Sequence, residues 1–168
     1  MARLLIVDND ARIVELYALY LTRRGHDVRT AGSFREARAA LAALAAERPE
    51  LLLSDLELGV ESGREELPRL WSEGLLPPTL VVSGFVDLEL EALFARLPAV
   101  VGILRKPFDF ERLDTSVSVA LREAERRGPD IEAARALVLA ARANAPAPAA
   151  TLADDDGWIE ILPPGGGA

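Results

Sequence analysis

The chain has no cysteine, so neither a disulfide framework nor a thiolate metal site can form in it. It has one histidine, His26, with no second imidazole to share a metal ion; following the helix-stopping Gly25, it reads as a surface turn residue. Positive charge is scarce: 19 lysines and arginines against 27 aspartates and glutamates give a formal net charge of -8. That field repels a polyanion, which weighs against a nucleic-acid partner held through its phosphates. Long apolar runs are also missing. Met1 to Val7 is largely apolar but is cut off at Asp8, too early for the apolar stretch of a secretion signal, and no run approaches the ~20 residues that span a bilayer. The expectation is a soluble, cytoplasmic protein with no membrane insertion and no direct nucleic-acid contact.

What is present is enough for one sizeable core: 168 residues, 50% of them hydrophobic. Apolar runs suited to buried strands recur at Leu4–Val7, Leu51–Leu53, Leu80–Val82 and Val100–Leu104, with a half-polar candidate at Asp27–Thr30. Helical patterns separate them. The first runs from about Ala11 to Arg24, with Ile13, Val14, Leu16, Tyr17, Tyr20 and Leu21 on one broad face, and Gly25 stops it. The second opens at a capping box, Ser33 with Glu36, and ends before Pro49. The third lies near Arg64 to Glu73; the fourth is capped by Asp87 and the fifth by Asp109, with an interruption expected at Gly128-Pro129. Trp71, Phe94 and Leu97 lie on these patterns as packing residues.

Strand then helix, five times over, predicts an α/β fold: a parallel sheet covered on both faces and joined by right-handed crossovers, with its site at the carboxyl ends of the strands. The expected division is a domain over 1–128, a short accessory helix over 129–144, and an Ala/Pro linker with an acidic, Gly-rich tail over 145–168, read as flexible. Asp154-Asp155-Asp156 lacks the alternating spacing of a calcium loop and reads as a solvated acidic tail. Trp158-Ile159-Glu160-Ile161-Leu162 reads as a disordered stretch, against which stand addition as a strand to a partner's edge and docking back on its own domain.

The polar residues that follow the apolar runs converge on one edge of such a sheet: Asp8, Asn9 and Asp10, then Asp55, Ser83 and Lys106. Carboxylates from neighbouring strand ends suit a hard cation such as Mg2+. An aspartate beside that ion can attack a phosphoryl group and form an acyl phosphate, which singles out Asp55 as nucleophile. Lys106 can pair with a phosphoryl oxygen, and the Ser83 hydroxyl can donate to another.

Leu5-Ile6-Val7-Asp8-Asn9-Asp10, Leu53-Ser54-Asp55, Val81-Val82-Ser83-Gly84 and Lys106-Pro107-Phe108 resemble the motif series of bacterial response-regulator receiver domains, CheY-like, over roughly Ala2 to Arg127. The resemblance implies a flavodoxin-like (βα)5 doubly wound sheet of strand order 2-1-3-4-5 and phosphotransfer to Asp55 from a sensor histidine kinase or phosphotransfer protein. It also implies a switch in which the Ser83 hydroxyl swings toward the phosphoryl group, and Mg2+ held by Asp8, Asn9, Asp55 and the backbone carbonyl of Glu57. Three departures stand out. Asn9 replaces the second of the usual acidic pair and removes a charge; Ile103 stands where a switch aromatic is common; and Gly59 stands where proline is common.

Two other readings share these residues. A degenerate, phosphorylation-independent receiver scaffold fits Asn9 and Ile103. A haloacid-dehalogenase-like phosphohydrolase using Asp8 fits Asp8-Asn9-Asp10, Ser83 and Lys106 in part, but leaves Asp55 idle. With no effector domain recognised after Pro129, the output is expected to be binding of an unknown downstream protein, through the face formed by the fourth and fifth helices or through the tail.

Overall fold

The computed structural model describes residues 1–44 and 47–145. Its main sheet is built from β1 (Arg3–Val7), β2 (Asp27–Ala31), β3 (Leu51–Asp55), β6 (Thr79–Ser83) and β7 (Val100–Arg105). All pairs are parallel, in the order β2-β1-β3-β6-β7. That is the flavodoxin-like order 2-1-3-4-5 once the two strands of a small hairpin, β4 (Glu57–Leu58) and β5 (Glu61–Ser62), are set aside. The hairpin is antiparallel and was not expected, because two residues are too few to show a period.

Side chains alternate across a strand, so continuous apolar strands must be covered on both faces. Leu5, Val7, Leu52 and Val81 point to one side, against Phe34 and Leu41 of α2 (Phe34–Ala43), Leu67, Leu70 and Trp71 of α3 (Gly63–Ser72), and Leu90 and Phe94 of α4 (Leu88–Ala95). Leu4, Ile6, Leu51, Leu53, Leu80 and Leu104 point to the other, against Leu21 of α1 (Ala11–Arg23) and Leu113, Val117 and Ala120 of α5 (Phe110–Ala143). Trp71, Phe94 and Leu97 are buried, as their helical spacing implied.

The three caps read from sequence, Ser33, Asp87 and Asp109, are in place, and Asp10 caps α1 as well. Asp10 accepts from the N–H groups of Arg12 and Ile13, Ser33 from Glu36, Asp87 from Leu90 and Asp109 from Arg112. The interruption expected at Gly128-Pro129 is not: α5 continues for 34 residues, and the segment assigned to a separate accessory helix over 129–144 is its distal half. Local chemistry argued for a break, since an interior proline removes one helix hydrogen bond and costs about 3 kcal/mol. Tertiary packing outweighs it. Ile131, 1% exposed, enters the core, and the buried Arg135 donates to the carbonyls of Gly74 (3.1 Å) and Leu76 (2.9 Å) while lying 5.9 Å over the Trp71 ring. The linker and tail, with Asp154–Asp156 and Trp158–Leu162, lie outside the described residues.

Among the described residues no helix is long and apolar enough to cross a membrane.

Candidate functional site

Register decides which side chains meet at the carboxyl edge. Val7 pairs with Ser54, Asp55 with Val82 and Ser83 with Arg105, so the residues that end β1, β3, β6 and β7 reach the same level. The backbone N–H of Lys106 donates to the carbonyl of Ser83 (2.9 Å), fixing the start of the loop after β7.

Asp55 sits at the end of the central strand, 9% exposed. Its Oδ1 accepts from the N–H of Leu56 (2.7 Å) and, at longer range, of Glu57 (3.4 Å). Its Oδ2 accepts from Lys106 Nζ at 3.1 Å, and the same ammonium lies 3.7 Å from Asp8 Oδ2. Asp8, 5% exposed, uses Oδ1 to accept from the N–H of Asp10 (2.9 Å). Two buried carboxylates thus share one ammonium. Burial raises the pKa of Asp8, and the field of Asp55 adds to this against the hydrogen bond from Asp10. Burial opposes the charge on Lys106, but the hydrogen bond to Asp55 and the fields of Asp55 and Asp8 outweigh it and raise its pKa. Tyr17, whose ring packs on Phe108 at 5.6 Å, feels the same three charges; burial is the main cause of its raised pKa.

Uncompensated negative charge on hard oxygen donors is the chemistry a small divalent cation would neutralise, and one or two carboxylates with waters suffice for Mg2+. Asp8 and Asp55 supply such donors, both within 4 Å of the same ammonium. Asn9 is exposed beside Asp8 and is available as a neutral oxygen ligand. No cluster of three or more acidic, histidine or cysteine side chains forms among the described residues, in keeping with Asn9 replacing a carboxylate. Asp10 caps α1, its Oδ1 accepting from the N–H groups of Arg12 (3.0 Å) and Ile13 (3.4 Å).

Ser83, 2% exposed, is at the edge but turned into its own loop: its hydroxyl donates to the carbonyl of Phe85 (2.7 Å) and accepts from the N–H of Phe85 (3.1 Å). The loop ends at Asp87, which caps α4 with one oxygen and accepts from Arg64 of α3 with the other (3.1 Å). The hydrogen bond from Leu90 and the Arg64 guanidinium hold Asp87 below the usual carboxylate range. Ile103 lies partly buried on β7, packed against the core. Sequence reasoning missed Glu61, which ties the hairpin after Asp55 to α2; its partners are 27 and 26 residues away, beyond any local pattern.

A family model described as a response regulator receiver domain matches residues 4–118. The chain is 29% identical over 130 residues to the alkaline phosphatase synthesis transcriptional regulatory protein PhoP of Bacillus subtilis, covering 77% of this chain and 52% of that protein. It is 30% identical over 146 residues to the transcriptional regulatory protein AfsQ1 of Streptomyces coelicolor, covering 83% and 60%. It therefore spans little more than half the length of these two regulators. Among solved structures it resembles a response regulator receiver protein from Pseudomonas putida, with 32% identity, a TM-score of 0.61, and 70% of this chain and 95% of that one covered.

Proposed function

Since the chain belongs to the response regulator receiver domain family of two-component systems, we propose that it accepts a phosphoryl group on Asp55 from a sensor histidine kinase or phosphotransfer protein and signals by binding another protein. Receiver domains are signalling modules rather than enzymes, and the chemistry asked of this one is a single transfer.

The observation that carries the reading is the Asp55 carboxylate in the middle of the sheet, with Asp8 on one side and Lys106 reaching both. Asp55 attacks the phosphorus, an acyl phosphate bond forms, and the phosphorus–nitrogen bond of the donor phosphohistidine breaks. Leu56 N–H orients the carboxylate through Oδ1. Lys106, already at the carboxylate, turns its ammonium to the incoming phosphoryl oxygens. Asp8, Asp55, the Glu57 carbonyl and Asn9 would hold Mg2+, which would supply the positive charge needed for a dianion to approach two carboxylates.

The readout begins at Ser83. Its hydroxyl leaves the Phe85 carbonyl to donate to the phosphoryl group, and the Gly84–Val86 loop moves with it. Phe85 (64% exposed) within that loop and Leu88 (83% exposed) at the start of α4 support a downstream partner on the face formed by α4 and α5.

The phosphorylation-independent scaffold is the second reading, favoured by the neutral Asn9. The hydrolase reading loses its second acid, because Asp10 is committed to capping α1. Incubation with acetyl phosphate and Mg2+, followed by intact mass, separates the three. We expect one phosphoryl adduct on the wild type, lost in Asp55→Asn. An unmodified wild type would favour the scaffold, and turnover lost with Asp8→Asn but kept in Asp55→Asn would favour the hydrolase.

A further inference from the structure

Resting on that reading of the edge, we propose that Glu61 is a positioning residue: its carboxylate clamps the β4–β5 hairpin to the N-terminus of α2 and thereby holds the Glu57 carbonyl at the cation site. Glu61 Oε2 accepts from the backbone N–H of Phe34 at 2.7 Å, and Oε1 accepts from that of Arg35 at 3.3 Å. These are orphan donors of the first helical turn, where the helix dipole also favours an anion.

Local residues do not take them. Ser33 accepts from Glu36 N–H (3.1 Å), and the Glu36 carboxylate, which a capping box would send back to Ser33, accepts instead from Gly32 N–H (2.8 Å). A long-range carboxylate fills the gap, and it is borne by the loop that follows Asp55.

The hairpin needs such an anchor. Its root is fixed: Gly63 N–H donates to the Leu56 carbonyl (2.8 Å), and a Cβ on Gly63 would meet Leu56 Cα at 2.9 Å, so the returning chain crosses directly over the residue after Asp55. Its tip is not. Gly59 adopts φ +71°, a conformation side chains rarely take, with its Cβ position 3.6 Å from Asn9 Nδ2, and Val60 is fully exposed. Between root and tip, Glu57 pairs with Ser62 and Leu58 with Glu61. Among the described residues, only Glu61 of this hairpin makes side-chain hydrogen bonds to another element. Release of Glu61 would free β5, and through its pairing the peptide of Glu57. Coupling of this kind is reciprocal, so an ion at the edge protects the first turn of α2 as well.

Three variants test it, each followed by amide hydrogen exchange and by calorimetric titration with Mg2+. Glu61→Ala is expected to speed exchange across Glu57–Ser62 and to weaken Mg2+ binding roughly tenfold, the low end for losing a group that orients a metal ligand. Glu61→Gln keeps an acceptor oxygen and should fall between. Ser33→Ala removes a cap from the same helix, so it should lower the melting temperature yet leave hairpin exchange and Mg2+ affinity at wild-type values. Unchanged exchange or affinity in Glu61→Ala, or equal losses in Ser33→Ala, would overturn the proposal alone. A wild type that binds no Mg2+ would overturn the cation reading of the edge and the proposal with it.

Discussion

Asp8 and Asp55 at the carboxyl edge share one ammonium, whereas Arg135 in the distal half of α5 lies at 4% exposure against two backbone carbonyls and the face of Trp71. Both regions bury charge, at opposite ends of the sheet's chemistry. At the edge two carboxylates meet one ammonium; burial first, and then the field of Asp55, raises the pKa of Asp8. In the helix, Arg135 donates to carbonyls of the loop after α3, sharing that of Gly74 with Arg48, and burial is what lowers its pKa. The guanidinium is held by two carbonyls and a ring, while its Nε is buried without a hydrogen-bond partner.

Ending the chain after Arg127 gives the largest expected effect. It removes the buried Ile131, about 2 kcal/mol of apolar burial, and strands the Leu76 carbonyl at roughly 1–3 kcal/mol, while the Gly74 carbonyl keeps its hydrogen bond from Arg48. Urea unfolding should show the loss; a truncated chain of full stability would restore the accessory-helix reading. Lys106→Met comes next. Without a cation two buried carboxylates then face each other, and stability near neutral pH should fall by about 1–3 kcal/mol. Saturating Mg2+ should recover most of that loss but none of the loss in Arg135→Met, which keeps the two regions apart.

Asn9→Asp sharpens the edge further by returning a carboxylate to it. Isothermal titration should show tighter Mg2+ binding, and an unchanged affinity would place Asn9 outside the ion's reach. The smallest effect belongs to His26. Its pKa is lowered, first by burial and then by the nearby N-terminal ammonium, and its Nδ1 is buried without a partner. A folded-state pKa below the unfolded value of about 6.5 means that its contribution is complete above that pH and is lost as the pH falls through the folded value. Melting curves between neutral and mildly acid pH should fall less steeply for His26→Asn than for the wild type.

The elements written most plainly in the sequence are those whose signals are local or strictly periodic. Leu51–Leu53 and Leu80–Val82 announce strands buried on both faces, and Ser33, Asp87 and Asp109 announce helix starts. The edge residues Asp8, Asp55, Ser83 and Lys106 follow from where those strands end, and the structure brings Asp8, Asp55 and Lys106 within ion-pair distance. What escaped was set by contacts between residues far apart in sequence. Pro129 inside a helix is tolerated because Arg135 reaches Gly74, 61 residues away, and the hairpin after Asp55 is tied down by Glu61 on α2. His26 reads as a surface turn, yet its ring is half-buried by neighbours that no local rule supplies.

Beryllofluoride, which mimics a phosphoryl group on a carboxylate, tests the central claim most directly when titrated with Mg2+ and followed by amide chemical shifts. Saturable shifts are expected at Ser83–Asp87 and Lys106, signalling that the Ser83 hydroxyl has left the Phe85 carbonyl, and none are expected in Asp55→Asn. An unresponsive wild type, or the same shifts in Asp55→Asn, would contradict Asp55 as the acceptor.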